Sequence, residues 1–491
     1  LMPTRNEVDA VVQKVLKQIT PTKADKAKME AVAKSIEQKV SLACREFNVD
    51  AKVRLEGSVA KDTWLKEEPD VDVFIRFPTT VSRGDLEVLG LKIAKAATAD
   101  AQRQIERYAE HPYLEAFVDS VRVNIVPCYD AKPGEWLSAT DRTPYHTDYV
   151  NARLNKKLRG EVRLLKKFMK GINVYGAEIK VGGFSGYLCE LLILHFASFK
   201  AVLQAFAQHM PKRVIDMEHH FAAHEAERLF PEPLVIVDPV DRGRNVASAV
   251  QPQKLHLFVG AAQEFLKHPH RHFFYPPKPK PLSAAQIEAR LRRRGSTIIL
   301  VATGGVQAVP DVLWGQIYKS QRALHKLLEL HDFSVLRSDA WSSQNADHII
   351  FVFELEQQTL PPIKKHFGPP LQRQNECENF LAKHLGAPNV VAGPYLEDGR
   401  WVILTKRKVT HATDLLKTKL ASGGKNVGVA HLVAKALQQN FAVTCDSKAI
   451  SNYTADKEFA EFFATFLSAK PHWLQATTKH PQRKNKLNSQ R

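Results

Sequence analysis

GSVAKDTWLKEEPDVDVFIRFP, running from Gly57 to Pro78, contains the strand that decides the fold. From Asp70 to Phe77 the period is two: Val71, Val73, Ile75 and Phe77 face one side, and Asp70, Asp72 and Phe74 face the other. The apolar side demands a core, so the two carboxylates line a groove or face water. Carboxylates at i and i+2 lie one pleat repeat apart on the same face. They can hold one or two divalent cations, which prefer oxygen ligands and bridge to nucleotide phosphates. Upstream, Gly57-Ser58 ends a neighbouring strand. Glycine permits close backbone approach there, and the Ser58 hydroxyl with nearby amides can hold a phosphate tail. Lys61, one turn further on, adds a cation. Asp-x-Asp alone is a weak signal; preceded by Gly-Ser and a spacer it is moderately specific. A solvated edge strand with its charges outward ranks second.

Upstream of this stretch, Thr22 with Asp25 three residues later has the form of a capping box. Met29, Val32, Ile36, Val40 and Phe47 then recur at helical spacing. Val53 and Leu55 alternate with Lys52, Arg54 and Glu56 as a half-buried strand does, and Val59 to Leu65 is expected as a short helix or turn. Downstream, Val121 to Val126 forms another strand, with Arg122 and Asn124 on its polar face. Together these predict a small α/β domain over residues 1–150.

Residues 150–270 are expected to be mostly helical, through Leu164/Leu165/Phe168, Tyr187 to Phe206 and a long run from Met217 to Phe230. His268 to Leu282 is Pro-rich, basic and aperiodic, the best linker candidate. Strand Thr297–Ala302, helix Leu313–Leu330 and strand His348–Leu355 then suggest a second α/β unit with a ferredoxin-like sheet. A third mixed region opens near Gln372, with strand Trp401–Thr405 and helix Val429–Gln438. Lys479 to Arg491 is expected to be a basic, disordered tail.

A chain of 491 residues is too long for one core and predicts about three domains. Lys and Arg number 70 against 52 Asp and Glu, 70 − 52 = +18, which favours a polyanionic partner. Solubilising surface charge is the plainer explanation. The five scattered cysteines contain no CxxC pair and fit a reducing cytoplasm. Residues 1–30 lack the apolar segment of a signal peptide, and no apolar run reaches spanning length. His219-His220 with His224, and the histidines of His268–His272, are better explained by an amphipathic helix and a basic linker than by metal sites. Ser422-Gly423-Gly424-Lys425 lacks the spacing of a phosphate-binding loop.

The Gly57–Pro78 stretch resembles the head domain of archaeal-type (class I) CCA-adding enzymes, members of the polymerase-β-like nucleotidyltransferase superfamily. VNIVPCY (Val123–Tyr129), DRTPYHTDYV (Asp141–Val150), EVRLLKKFMK (Glu161–Lys170), VYGAEIKVGGFSGYLCELLI (Val174–Ile193) and VDPVDRGRNVASAV (Val237–Val250) follow in the family's order, and KHFGPPL (Lys365–Leu371) extends the likeness. The resemblance implies an α+β multidomain architecture: a catalytic palm-like head (1–150), a helical neck (151–270), a ferredoxin-like α/β body that binds RNA (271–371), an α/β tail that binds tRNA (372–478) and a basic extension (479–491).

It also implies the chemistry. Asp70 and Asp72 match the family's first two metal-binding carboxylates, with Mg2+ the expected cofactor. Ser58 and Lys61 match residues that contact the incoming nucleotide. The family commonly has Arg at position 61, so Lys61 keeps the charge without the bidentate fork. His146, Lys166 and Tyr175 match further nucleotide contacts, and Arg244 an arginine near the base. Taken singly, His146 and Tyr175 read as core residues, Lys166 as a solvated charge and Arg244 as an ion-pair partner. One position departs from the family. Asn124 stands where the third metal-binding carboxylate belongs, and its amide brings no charge and accepts no proton. The implied activity is template-independent addition of C, C and A to the 3′ end of tRNA from CTP and ATP, releasing pyrophosphate. Expected partners are the tRNA acceptor stem and 3′ end, CTP and ATP, with no membrane and a homodimer as one option. Two alternatives remain: another RNA 3′-end polymerase of the superfamily, poly(A) or uridylyl, and a catalytically impaired tRNA-binding homologue.

Overall fold

A computed structural model describes residues 5–474 apart from 109, 209 and 281; the expected basic tail after residue 479 lies outside the described residues. The described chain forms two compact units, residues 5–278 with 470–474, and residues 279–469.

The first unit begins with helices Arg5–Ile19 and Lys23–Glu46. Thr22 caps the second: its hydroxyl accepts from the Asp25 amide at 3.1 Å, and the Asp25 carboxylate accepts from the Thr22 amide at 2.8 Å. Both groups therefore satisfy donors that a helix start leaves unpaired. Met29, Val32, Ile36 and Val40 of this helix pack against Val71, Val73, Ile75, Phe77, Val123 and Ile125. Those residues belong to a sheet of β1 (Lys52–Glu56), β2 (Asp70–Phe77), β3 (Arg103–Tyr108), β4 (Pro112–Val118) and β5 (Val121–Tyr129), in the order β1-β2-β5-β4-β3. β2 and β5 are parallel, and the other pairs antiparallel. The alternation read along Asp70–Phe77 therefore holds: the valine face is buried, and Asp70 and Asp72 lie half-buried on the opposite one.

Next come helices Thr143–Arg153, Lys156–Gly171, Gly186–Phe196, Phe199–Ala207 and Pro252–Lys267. They enclose an aromatic core that includes Phe168, Phe184, Phe199, Phe258 and Phe265. The expected helical run Met217–Phe230 is not formed; only Glu225–Leu229 is helical. His219 and His224 have φ of +52° and +62°, and Asp216 Oδ2 accepts from the Phe221 amide at 3.0 Å, so local polar bonding replaces the helical ladder. This region also carries a small sheet that the helical expectation lacked: β6 (Arg213–Ile215), β7 (Leu234–Asp238) and β8 (Asp241–Asn245). The linker expected over His268–Leu282 is likewise corrected in its first half. Phe273 and Phe274 are buried in the aromatic core, and Trp473 stacks on Phe273 with ring centres 5.0 Å apart.

The second unit contains β9 (Thr297–Gly304), helix Pro310–Leu330, β10 (Val335–Ser342) and β11 (His348–Leu355). It also holds β12 (Ile363–Pro370), helix Gln374–His384, β13 (Val390–Glu397), β14 (Arg400–Lys406) and β15 (Phe441–Thr444). The antiparallel order β10-β11-β9-β15 is that of a ferredoxin-like sheet, with helix Pro310–Leu330 joining its first two strands. β12-β14-β13 form a separate sheet inserted before the last ferredoxin strand. A domain cut at 371 would separate β12 from β14 and β15 from β9.

All five cysteines are free thiols. Among the described residues no single helix is long and apolar enough to cross a membrane.

Candidate active site

The carboxylate pair sits where a tight turn meets the centre of the first sheet. Gly57, at φ +72°, begins a single helical turn directly after β1, and a Cβ there would stand 2.0 Å from Asp72 Oδ2. Only glycine lets the turn close so far onto the carboxylate. Ser58 follows in the same turn and is half-buried, its carbonyl accepting from the Thr63 amide at 2.9 Å. Across the sheet, Asp72 lies opposite Glu56 of β1 and Asn124 of β5, while Asp70 lies opposite Arg122. Arg122 binds both oxygens of Asp70, with Nε donating to Oδ1 at 2.8 Å. Asn124 donates from Nδ2 to Asp72 Oδ1 at 2.9 Å. Burial pushes the Asp72 carboxyl up to about 6, against the Asn124 hydrogen bond and with help from the neighbouring Asp70 charge.

This donor set fits a divalent cation. Asp70, Asp72 and the Asn124 amide oxygen are hard ligands, and a cation would relieve the unfavourable burial of Asp72 charge. Among the described residues no three His, Cys, Asp or Glu side chains form a metal-holding group.

A second cluster lies beyond the turn. Lys61, Lys166 and Glu190 are all buried. Lys61 Nζ lies 2.6 Å from Glu190 Oε2, Thr63 Oγ1 donates to Glu190 Oε1 at 2.6 Å, and Lys166 Nζ lies 3.1 Å from the same Oε1. Burial would raise the Glu190 carboxyl, but the charges of Lys166 and Lys61 hold it down at about 2; burial lowers the proton affinity of Lys166. Lys166 is thus no solvated helix charge. Tyr175 reaches the same place: a Cβ at Gly186 would be 2.9 Å from its hydroxyl and 3.5 Å from Lys166 Nζ.

A third cluster centres on Asp238, fully buried at the end of β7. Its carboxylate lies 2.9 Å from His146 Nε2, and accepts from Arg244 Nη1 at 2.7 Å and from the Tyr187 hydroxyl at 3.1 Å. The His146 ring stacks on Tyr187 with centres 4.0 Å apart, and Lys61 Nζ stands 5.8 Å from the Tyr187 ring centre. Tyr187 therefore links the second and third clusters. The nine positions singled out from the sequence all fall in the first unit. Glu190, Asp238, Thr63 and Tyr187 were not among them. All four lie inside the strings that carry the family resemblance, but none has a spacing of its own; Glu190 is a lone acid in the apolar helix GYLCELLILHF and Asp238 closes the apolar strand LVIVD.

Comparison with known proteins places three family descriptions along the chain. Residues 37–146 match "Nucleotidyltransferase domain", 160–275 "tRNA nucleotidyltransferase, second domain" and 294–446 "CCA-adding enzyme, C-terminal domain". The CCA-adding enzyme of Methanosarcina barkeri is 39% identical over 411 residues, covering 83% of this chain and 88% of that protein. Those of Halobacterium salinarum and Methanothermobacter thermautotrophicus are each 36% identical, covering 88% and 92% of this chain and 96% and 97% of theirs.

The chain belongs to the CCA-adding enzyme family.

It is accordingly a nucleotidyltransferase, and nucleotidyltransferases of this family generally use a divalent metal. Solved structures offer a remoter likeness. A Cid1 poly(U) polymerase with MgGTP bound aligns with a TM-score of 0.44 at 14% identity, covering 55% of this chain and 99% of that one. That is too faint to bear on the choice between kinds of 3′-end addition. Within the CCA-adding family the alignment runs through both units, so the head clusters and the ferredoxin-like region belong to one family architecture.

Proposed function

We propose that this protein adds C, C and A in turn to the 3′ end of tRNA, drawing on CTP and ATP with Mg2+ and releasing pyrophosphate. The supporting observation is the meeting, in one compact unit, of an oxygen-donor face and a buried cationic cluster, with the Lys61 charge felt at Asp72. Asp70, Asp72 and the Asn124 amide oxygen would hold the metal. When bound, such a cation supplies charge neutralisation for the triphosphate and lowers the proton affinity of the attacking hydroxyl. Ser58, Lys61, Lys166 and Tyr175 bind the triphosphate, while His146 and Arg244, set by Asp238, face the sugar and base. Catalysis is then chiefly positioning and electrostatic stabilisation. In the second unit, Lys364, Lys383, Lys406, Arg407 and Lys408 line a cleft of about 550 Å³ suited to RNA phosphates.

The experiment is incubation of the purified protein with tRNA lacking CCA, labelled CTP and ATP, and Mg2+. Three-nucleotide extension is the expected product; long homopolymer tails would instead assign a poly(A) or uridylyl polymerase. Asn124 favours a second outcome, a tRNA-binding homologue slowed in its chemistry, because this side chain adds no third charge. Asn124→Asp is therefore expected to raise the incorporation rate at least ~10-fold. Absence of incorporation by both forms would overturn the assignment.

A further inference from the structure

We propose that Glu190 is the positioning residue of the triphosphate site, a shared counter-ion that holds Lys61 and Lys166 in place and aims them together at the incoming phosphates. This rests on the assignment of those two lysines to the triphosphate. Lys61 ends the short turn after β1, Lys166 lies in helix Lys156–Gly171, and Glu190 lies in helix Gly186–Phe196. Three separate elements thus bring their charges to one carboxylate. Glu190 is 0% exposed, and the lysines are 7% and 3% exposed. Two ammonium groups at such burial repel each other and lose hydration, and a carboxylate between them offsets both costs. One carboxylate between two ammoniums leaves a net single positive charge, which an entering triphosphate can use.

The bonding pattern fixes direction as well as charge. Oε2 serves Lys61, while Oε1 serves both Thr63 and Lys166; Thr63 Oγ1 also accepts from Lys166 Nζ at 3.0 Å. Lys61 is thereby tied to the carboxylate, and Lys166 is held by Glu190 Oε1, Thr63 Oγ1 and, at 3.4 Å, the Thr63 carbonyl, its longest bond and the one an entering phosphate oxygen would replace. Stability alone gives little reason for such a cluster, since well-packed apolar residues commonly replace a buried ion pair without loss. A cluster with a surplus positive charge, within reach of the Tyr175 hydroxyl over Gly186, has a purpose if an anion enters.

The test is the affinity ladder CMP, CDP, CTP, measured by calorimetry with Mg2+ on the wild type and Glu190→Gln. In the wild type, affinity rises with each phosphate. In Glu190→Gln the ladder flattens: CTP binding weakens by about 10- to 100-fold, the worth of one charge-assisted hydrogen bond, while CMP binding stays within about 2-fold. A purely structural role would lower the melting temperature and leave the ladder's slope intact. Should Glu190→Gln fail to fold, Thr63→Val keeps the carboxylate but removes one of the two donors to Oε1, and a selective loss of CTP affinity of about 3-fold is expected. The proposal is overturned if the folded variant keeps the wild-type ladder or loses CMP and CTP affinity equally. A wild type that shows no ladder overturns the assignment of the lysines instead.

Discussion

Asp238 shows how much one buried carboxylate can organise. It has no exposure, yet it engages an imidazole, a guanidinium and a phenol at once. Burial alone would raise its pKa, but the His146 hydrogen bond and the charges of His146 and Arg244 hold it down at about 2. At His146 the balance is reversed: burial lowers the ring's proton affinity despite the carboxylate. A folded pKa below the ordinary aspartate value of 3.8 stabilises the protein above that value, and the gain is lost as pH falls towards 2. Asp238→Asn is therefore expected to lower stability by about 2 kcal/mol at neutral pH, with the gap to wild type narrowing as the solution is acidified below about pH 4. Urea titrations of both proteins at neutral pH and at two acidic values, the lower near about pH 3, check this; a gap that does not shrink with acid would contradict it. At this scale the legible residues were those whose spacing encodes geometry, Asp70 and Asp72 on a period-two strand beside Gly57. Glu190 and Asp238 were illegible because each is a single acid in an apolar run. Their partners Lys61, Lys166, His146 and Arg244 arrive from other elements of the chain.

Elements were recoverable where local chemistry and burial agree. Helix Lys23–Glu46 starts at the Thr22–Asp25 box, and β11 matches the expected His348–Leu355 span, its residues from Ile349 onward all buried. The capping box carries a prediction of its own. Thr22→Ala removes the acceptor for the Asp25 amide, and the expected cost is about 1 kcal/mol of unfolding free energy, read from a shift in the denaturant midpoint at unchanged slope. An unaltered midpoint would mean that packing of Met29, Val32, Ile36 and Val40 on the sheet sets the helix start without its cap. Elements were lost where burial is decided by distant partners. β3 is an edge strand with only Ile105 and Arg107 withdrawn from full exposure, so its sequence RQIERY shows little alternation. Met217–Phe230 has helical composition, but His220 bonds the Pro239 carbonyl at 3.1 Å and the chain is held in turns. Phe273 and Phe274 read as part of a basic linker because nothing local announces the aromatic core they enter.

Across the whole molecule the division of labour follows the division of charge. The first unit carries clustered acids and cations in close pairs, Asp70 with Arg122 and Asp238 with Arg244, and one carboxylate, Glu190, shared by Lys61 and Lys166. The second unit's cleft is different: among the described residues that line it, five cations face one carboxylate, Asp332, which accepts from Lys364 at 3.0 Å and from Arg407. Lys383, Lys406 and Lys408 stand with His366 and His384 around that pair. A net charge of +18 on 491 residues fixes no location for RNA, but an uncompensated cleft in a region matched to the family's C-terminal domain does suggest one. Reversing two of these charges, Lys383→Glu with Lys408→Glu, is therefore expected to weaken tRNA binding. The plot of log affinity against log salt should also become shallower by about 0.7 to 0.9 for each phosphate no longer neutralised. The dissociation constant for CTP should stay within about 2-fold of wild type, because cations that hold RNA phosphates position the substrate without entering the nucleotide site. Filter binding across a salt series, beside CTP calorimetry on the same preparation, separates the cases. An unchanged salt slope removes the cleft from the RNA interface, and a parallel loss of CTP affinity shows that the substitutions disturb the fold rather than the charge.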